Sequence, residues 1–559
     1  MAAELRADPS GPMTASRKRL VLVAAILGTT VVTVDATVVN VALPAIQDDL
    51  GGGLAGQQWT SNAYLVTLGS LLLIGGSLGD LFGERRVFAL GVAGFGLTSL
   101  FAALTPTIEL LVLARALQGV AGALLTPAAL ATIVTVFPPD ERGKAVGAWT
   151  AWGGIGTVLG PLIGGQLVDS ASWRWIFAIN VPVVIVTMML ILRVVPAGRE
   201  RAADARVDVP GATLCALGLA GMTFGLIEQP LHGWGDPAVF LPLVLGATMF
   251  AGFLAWEAHT EQPMLPLGLF RRRNFAIGNV ETFSMYAGLG LLFFFLVLFL
   301  QQVAGYSALA AGTATLPVTL VMFTLSMRFG ALADRYGPRF FMGVGPLIAA
   351  CGLALFLRLD ADVDYLTDLL PGLLVFALGL SMTVAPLTAT VLADADEHNA
   401  GIASGVNNAI ARVASLVAIA AVGALVAASF ASSLVDELGA ATSRPEVAAA
   451  VKEAKKQPLA DVVVADAPED VQNEVANAAE DASISAFHVG IGIATGLVAL
   501  GGILGLLGIV NPRRRVDAED CPGGPLVGVT RESARQSPCD WHRKVGPRVK
   551  AGKAAAAAT

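Results

Sequence analysis

The stretch that decides the fold is VVTVDATVVNVALP, residues 31–44, inside an apolar run from Leu20 to Leu43. Its middle holds a single carboxylate, Asp35. A carboxylate in the hydrocarbon of a membrane costs several kcal/mol unless it is paired, protonated or facing water. Asp35 is therefore the first candidate functional residue, and the rest of the chain must supply what it pairs with.

The composition indicates a membrane protein. The chain has 559 residues, of which 55% are hydrophobic and 14% charged, and its mean hydropathy is +0.69. Soluble domains carry about 25% charged residues, and an apolar run of about 20 residues spans a bilayer as a helix. The 62 glycines suit close helix packing, and a transmembrane barrel would instead show alternation over about ten residues. We expect an all-α polytopic membrane protein.

The apolar runs predict fourteen transmembrane helices, and Lys and Arg cluster in the loops that would face the cytoplasm if both termini lie there. The four cysteines are too sparse for a disulfide framework or a metal site. We expect no cofactor, no metal, no nucleic-acid partner and a monomer. The predicted spans are 20–43, 58–79, 86–104, 109–136, 145–167, 175–195, 209–227, 237–256, 275–299, 308–330, 339–357, 369–392, 402–428 and 486–510.

One loop occurs twice. GSLGDLFGERR (76–86) and GALADRYGPRF (330–340) both follow an apolar helix and share the pattern G-x-L-x-D-x-x-G. Repeats of this kind are typical of transporters whose two halves rock around a central site. The predicted parts are a cytoplasmic N-tail (1–19), a six-helix bundle (20–195), an inserted helix pair (196–260), a second bundle (261–510) and a disordered cytoplasmic tail (511–559). The external segment 430–485 is expected to be a solvated loop, with short amphipathic helices as the alternative.

Together with the repeated loop, four further motifs resemble the 14-helix drug:proton antiporter branch of the major facilitator superfamily. They are VDATVVNVALP (34–44), LARALQGVAGA (113–123), GTVLGPLIGG (156–165) and WRWIFAINVP (173–182). The resemblance implies a major facilitator fold of two six-helix bundles with an inserted helix pair.

The resemblance also implies roles for residues. The repeated loops imply a conformational latch, against the alternative of tight turns with an Asp cap. The glycine-rich motif marks exporters, although small residues at such spacing also make generic helix interfaces. The latch residues are Asp80, Arg85, Asp334, Arg335 and Arg339, and the antiporter motif is Gly156, Gly160, Pro161, Gly164 and Gly165.

Depth along the helices suggests a partner for Asp35. At 1.5 Å per residue, Asp35 lies about 22 Å from the inner end of its span, and Arg115 lies about 9 Å from the outer end of its own. Both charges then sit at similar depth, and the family fold puts both helices beside the central cavity. We expect Asp35, Arg115 and Glu281 to couple protons. Glu281 is expected as a cavity acid that binds protons or cationic drugs, with pairing to Arg271–Arg273 at the interface as the alternative. For Arg115 the alternative is snorkelling to the interface.

A further set of polar and aromatic residues is expected to line the cavity, with packing or lipid contact as the alternative for each. The candidates are Gln118, Trp152, Phe283, Tyr286, Asn407, Asn408 and Arg412.

The sequence thus predicts a proton-coupled antiporter in the cell membrane that exports amphiphilic drugs or toxic compounds. Its partners would be small lipophilic substrates, protons and the bilayer. A dedicated exporter of one endogenous metabolite is the alternative. An enzyme is less favoured because no nucleophile or His–Asp constellation stands out, and a channel because repeats favour alternating access. ATP drive would need a phosphate loop that the sequence lacks.

Overall fold

The computed structural model describes residues 13–196, 208–261, 263–393, 400–455, 457–459 and 467–511. Throughout these ranges the regular elements are helices, as expected for an all-α membrane protein. Most of the predicted cytoplasmic N-tail and C-terminal tail lies outside the described residues, as does most of the basic loop 196–208.

The first bundle is built from long helices joined by short turns. Gly51 and Gly52 separate its first two helices with positive φ angles of 75° and 92°, which only glycine adopts freely. The sixth span, Trp175–Val194, is broken at Ile179 into two helices. The elements are α1 Ala15–Leu50, α2 Gly53–Phe82, α3 Glu84–Leu104, α4 Ile108–Val136, α5 Pro139–Ser170, α6 Trp175–Ala178 and α7 Asn180–Val194.

An inserted helix pair follows: α8 (Val209–His232) and α9 (Pro237–Glu257). The two helices approach closely through Gly218, where an added Cβ would lie 2.8 Å from the backbone of Phe250. Apolar side chains of α8 and α9 share a small core with Val66 of α2 and with Leu416, which belongs to the second bundle. The pair therefore covers one side of the boundary between the bundles.

The second bundle repeats the first, with one span broken at Thr315. Its helices are α10 Arg273–Gln302, α11 Ala308–Ala314, α12 Leu316–Tyr336, α13 Pro338–Leu355, α14 Leu370–Ala393, α15 Ala400–Leu438, α16 Pro445–Ala454 and α17 Glu469–Gly508.

The described residues contain 12 helices that are long and apolar enough to cross a membrane. α2 and α5, of 30 and 32 residues, cover the predicted spans 58–79 and 145–167 but are not among those 12. The membrane character of most predicted spans is therefore confirmed, while the count of fourteen stays a prediction.

The segment 430–485 differs from the expectation of a solvated loop, which is wrong for its described part. α15 continues to Leu438, α17 begins at Glu469, and the amphipathic helix α16 lies between them in the chain and packs against α17. Val447, Val451 and Val475 are buried in one hydrophobic core that continues into the second bundle. The alternating small apolar and acidic residues that make this segment look soluble supply one buried face per helix.

At one end of the helices, four arginines cap helix C-termini inside their own bundle. Arg17 Nε donates to the carbonyl of Val194 at 3.1 Å, the last residue of α7. Arg273 Nε donates to the carbonyl of Gly508 at 2.7 Å, the last residue of α17. Cations here complement the negative end of the helix dipole and satisfy carbonyls that have no partner within the helix. We call this end of the molecule the basic end.

The repeated loops supply the second cap of each bundle. Arg85 donates to Leu192 O at 2.7 Å and Arg339 donates to Leu506 O at 2.6 Å. Both acceptors lie two residues before the end of the sixth span of their bundle. The equivalence of the caps supports the predicted duplication at the level of individual hydrogen bonds.

Removing one cap tests this arrangement. Arg273→Ala is expected to lower the melting temperature of the detergent-purified protein, because two carbonyls of α17 lose a charged donor worth about 1–2 kcal/mol. Arg271→Ala is the control, since this exposed neighbour caps no described helix. Equal melting temperatures for the two variants would contradict the capping role.

Candidate functional site

Asp35 is completely buried, and a dense set of donors surrounds its carboxylate. Arg115 Nη1 lies 2.5 Å from Oδ2. Oδ1 accepts from Gln118 Nε2 at 2.8 Å and from Asn180 Nδ2 at 3.0 Å. The pair matched by depth in the sequence is thus formed, and three helices, α1, α4 and α7, meet at one carboxylate.

The surroundings of Arg115 fix its guanidinium in place. Nε donates to the carbonyl of Thr60 in α2 at 3.0 Å, and Nη1 also donates to Gln118 Oε1 at 2.6 Å. The guanidinium carbon lies 4.4 Å from the ring centroid of Tyr64 and 5.7 Å from that of Phe177. Stacking on aromatic rings and paired hydrogen bonds suit the planar, weakly hydrated guanidinium. Arg115 is 1% exposed and does not snorkel to the interface.

Sequence reasoning missed several members of this cluster. Ser99 accepts from Gln118 at 2.8 Å and from Asn180 at 3.4 Å, which ties α3 to the group. Asn180 stands within the quoted WRWIFAINVP, and a lone amide in an apolar helix is a usable signal for a buried hydrogen bond. Ser99 gave no such signal, because small hydroxyl residues also bond to their own helix. Thr60 contributes a backbone carbonyl, which the residue type does not indicate.

The glycines of the antiporter motif remove side chains where α5 packs on α1. A Cβ added to Gly156 would lie 3.3 Å from Thr30 Cγ2, and one added to Gly160 would lie 3.1 Å from Thr37 Cβ. At Gly164 it would collide with Val38. The motif therefore brings α5 onto the same helix that carries Asp35.

Beyond this contact, the motif also joins the two bundles. An added Cβ at Gly165 would lie 2.7 Å from the backbone nitrogen of Leu309, and one at Gly312 would lie 2.7 Å from Pro161 O. Backbone-to-backbone contact of this kind requires residues without side chains. α5 and α11 are thus pressed together at the end of the molecule opposite the basic end, which we call the distal end.

Asp169, which the sequence did not single out, completes the distal contact. Its two oxygens accept from the backbone nitrogens of Ala308 at 3.0 Å and Leu309 at 2.9 Å, at the start of α11. Nearby, Gln301 Nε2 donates to Val41 O at 3.1 Å and so links α10 to α1. These contacts close the distal end beneath a surface pocket of about 690 Å³.

The bundles part toward the basic end. Phe283 precedes Gly290 by two helical turns and Gln301 by five, so all three lie on the α10 face that meets α15 at Gly290 and α1 at Gln301. That face is exposed by 46% at Val280 and 38% at Phe283, but every residue from Phe294 to Leu300 is exposed by 4% or less. The central cavity is therefore open at the basic end and sealed at the distal end.

The cavity candidates separate into three groups. The first group, Phe283, Tyr286 and Arg412, lies on helix faces between the bundles. Asn408 is exposed and donates only to Ser404 O of its own helix among the described residues. The second group makes hydrogen bonds to other helices. Gln118 belongs to the Asp35 cluster, and Asn407 joins α15 to α10 by donating to Thr282 Oγ1 at 2.7 Å and to Asn279 Oδ1 at 3.1 Å.

Trp152 forms the third group. It precedes Pro161 by two and a half turns of α5, so it lies on the side opposite the contact with α11. The structure does not bring it together with the other cavity candidates.

Glu281 occupies neither of the two places expected for it. Its side chain is fully buried, and both oxygens lack a hydrogen-bond partner among the described residues. It points into the seam between α10 and α17, where an added Cβ on Gly505 would lie 2.8 Å from Oε2. Arg273, one of the three arginines considered as partners, donates instead to carbonyls at the end of α17.

The structure describes the side chains of four of the five latch candidates. The side chain of Asp80 lies outside the described residues. Asp334 is exposed, and the Arg335 guanidinium lies 5.4 Å from the ring of Tyr336. Arg85 and Arg339 make the helix-end contacts described above. In this conformation the arginines bind inside one bundle rather than across the cavity.

The contact at Asp169 predicts a change in distal opening. Asp169→Ala removes two hydrogen bonds between the bundles, and their loss is expected to cost about 1.4 kcal/mol. That free energy corresponds to a tenfold larger population of the distally open state. We therefore expect Ala45→Cys, in the distal pocket, to react with an impermeant maleimide about tenfold faster in that background.

The matched control is Asp49→Ala, which removes a distal carboxylate whose partners, Arg174 and Trp173, lie in its own bundle. Equal labelling rates in the Asp169 and Asp49 backgrounds would contradict a closing role for Asp169.

Comparison with known proteins assigns this architecture. Residues 25–419 match the family described as the Major Facilitator Superfamily. The chain is 39% identical to the puromycin resistance protein of Streptomyces alboniger, over 69% of this chain and 78% of that protein. It is 35% identical to the tetracenomycin C resistance and export protein of Streptomyces glaucescens, over 74% of this chain and 78% of that one.

Solved structures agree on the fold. An inward-facing, unoccupied bacterial homologue of the human lysosomal transporter Spinster matches with a TM-score of 0.61 and 17% identity, over 89% of this chain and all of that one. A nucleoside transporter matches with a TM-score of 0.56 and 13% identity, over 88% of this chain and all of that one. At these identities the likeness concerns the fold alone. The helical architecture, the family match and the relatives agree, and the chain belongs to the major facilitator superfamily, whose members are transporters rather than enzymes.

Proposed function

We propose that the chain is a proton-coupled antiporter that exports amphiphilic drugs or toxic compounds across the cytoplasmic membrane by alternating access. The relatives named for puromycin and tetracenomycin C resistance support export of such compounds. The basic end faces the cytoplasm in this proposal, as positive charge in short loops favours. The structure then corresponds to the state that receives substrate from the cytoplasm.

The observation that carries the proposal is the buried pair of Asp35 and Arg115. Two ions removed from water are costly unless they stay paired, and losing one partner leaves an uncompensated charge. A proton on Asp35 removes the negative charge and frees Arg115 to move. The proposed cycle takes up this proton from outside when the distal end opens, and releases it after the cavity has returned to the cytoplasmic side.

Glu281 is proposed as a second proton carrier. An unpaired ionised carboxylate in the α10–α17 seam would be costly, whereas a proton there lets the two helices pack as they do. Loss of that proton would add charge to the seam and favour its separation. Glu281 thus supplies the second bundle with a charge-dependent contact of its own.

Asp35→Asn tests the first step. In everted vesicles energised by respiration, the variant is expected to lose at least about 90% of the substrate-induced proton release, because the amide cannot exchange a proton at this site. Asp49→Asn, on the same helix but half-exposed at the distal end, is the control. Normal proton release from a correctly inserted Asp35→Asn protein would remove Asp35 from the coupling role.

Glu281→Gln tests the second carrier. We expect the variant to fold and to move substrate with fewer protons per molecule, since the amide has a similar shape but no exchangeable charge. The ratio is measured from the proton and substrate fluxes in the same vesicles, with Glu228→Gln on α8 as the control. An unchanged ratio would exclude Glu281 from coupling.

The same vesicles test the drug-export assignment. A panel of puromycin, aromatic antibiotics and lipophilic dyes should release protons and be accumulated. If expression confers no resistance to any of them and none releases protons, broad drug:proton antiport is wrong and the dedicated exporter becomes the better hypothesis.

A further inference from the structure

Arg412 lies between the two bundles, and the described residues supply no partner for its charge. It lies on α15, three turns before Gly423, whose position touches the side chain of Gln58 in α2. Arg412 therefore shares the α15 face that meets the first bundle. A Cβ added to Gly69 of α2 would lie 3.7 Å from Arg412 Cβ, so the missing side chain at Gly69 leaves the arginine room to extend across α2.

Ser415, less than one helical turn after Arg412, fixes α15 against the second bundle. Ser415 Oγ donates to Tyr286 O at 2.9 Å and holds α15 against α10 at the same level. Arg412 is thus positioned between the bundles and not on the lipid-facing surface.

No described residue forms an ion pair or a hydrogen bond with Arg412, and its side chain is half-buried. Arg115 in the same molecule has a carboxylate, an amide oxygen and a carbonyl as acceptors. A guanidinium carries five donors, and an unpaired charge within a membrane marks a substrate or ion pathway.

Carboxylates in the described part of the chain do not offset this charge. The oxygens of Asp35 are already occupied inside the first bundle. Glu281 is sealed into the α10–α17 seam, and Asp169 lies at the closed distal end. The described surface near Arg412 therefore carries an unbalanced positive charge. Phe283, which is exposed, and Tyr286, whose carbonyl accepts from Ser415, lie on α10, the helix that packs against α15 here.

We propose that Arg412 is the anion-binding residue of the substrate site, and that the transporter prefers amphiphilic organic anions, carboxylates or ionised phenols on an aromatic skeleton, over lipophilic cations. This inference rests on the proposed export function and narrows it to one substrate class. The guanidinium fork binds a carboxylate through two parallel hydrogen bonds, and the aromatic rings accept the apolar body.

Binding to the detergent-purified full chain provides the first test, with two xanthene dyes as probes. Fluorescein is an anion at neutral pH and rhodamine 123 is a cation. Fluorescence anisotropy should show that Arg412→Gln weakens fluorescein binding about tenfold or more and leaves rhodamine 123 binding unchanged or tighter. Arg412→Lys should lose less, because it keeps the charge but not the fork.

The matched control is Arg358→Gln, which removes an exposed arginine from the distal end of the same bundle. Fluorescein binding that is absent from the unaltered protein, or equal in Arg412→Gln and the control, would overturn the anion site. An equal loss for both dyes would also overturn it, because the arginine would then support the fold of the cavity and not the recognition of charge.

Transport separates this inference from the proposed function. If fluorescein binding depends on Arg412 but energised everted vesicles show no proton-coupled uptake, the anion-binding site is supported and the proposed antiport is wrong. If rhodamine 123 is taken up with proton coupling and Arg412 has no effect on binding, the proposed antiport is supported and the anion-binding site is wrong.

Discussion

The buried ion pair of Asp35 and Arg115 is the constraint on which the first bundle depends. Two ions far from water are tolerated only where the remaining donors and acceptors are also satisfied. Gln118 on α4, Asn180 on α7 and Ser99 on α3 meet that requirement through their hydrogen bonds. Because one missing partner would leave a charge uncompensated, α1, α3, α4 and α7 are held as a unit.

The two bundles meet through different chemistry. At the distal end, glycine and backbone surfaces touch, and a carboxylate caps a helix of the opposite bundle. Toward the basic end, α10 is exposed at Val280 and Phe283. The polar contacts that Asp169 and Gln301 make between the bundles thus lie at the distal end, while the Asp35 cluster lies inside the first bundle.

Much of this fold was predictable, because apolar runs of membrane length and a repeated loop are strong local signals. The pairing of Asp35 with Arg115 followed from counting residues to equal depth, together with the fold implied by the resemblance. Asp169 could not be found in this way, since its partners lie 139 and 140 residues away. Such a contact forms only between the two assembled bundles, so no local sequence pattern predicts it.

The segment 430–485 and Glu281 show two other limits. Alanine-rich acidic sequence has low hydropathy, yet its small apolar residues bury a face once α15 and α16 pack against α17. Glu281 could be recognised as unusual, but whether it faced the cavity, the interface or a neighbour depended on the rotation of α10. That rotation is set by packing against the glycines of α17, and this contact between distant parts of the chain cannot be predicted from the sequence alone.

The arginine caps have a consequence for the resting orientation of the molecule. All four bind carbonyls of their own bundle, so tilting the bundles breaks none of them. The distal contact, in contrast, loses the hydrogen bonds of Asp169 whenever it opens. Opening at the distal end therefore breaks hydrogen bonds that opening at the basic end leaves intact, and in the proposed cycle this difference would favour the basic-end cavity in the empty molecule.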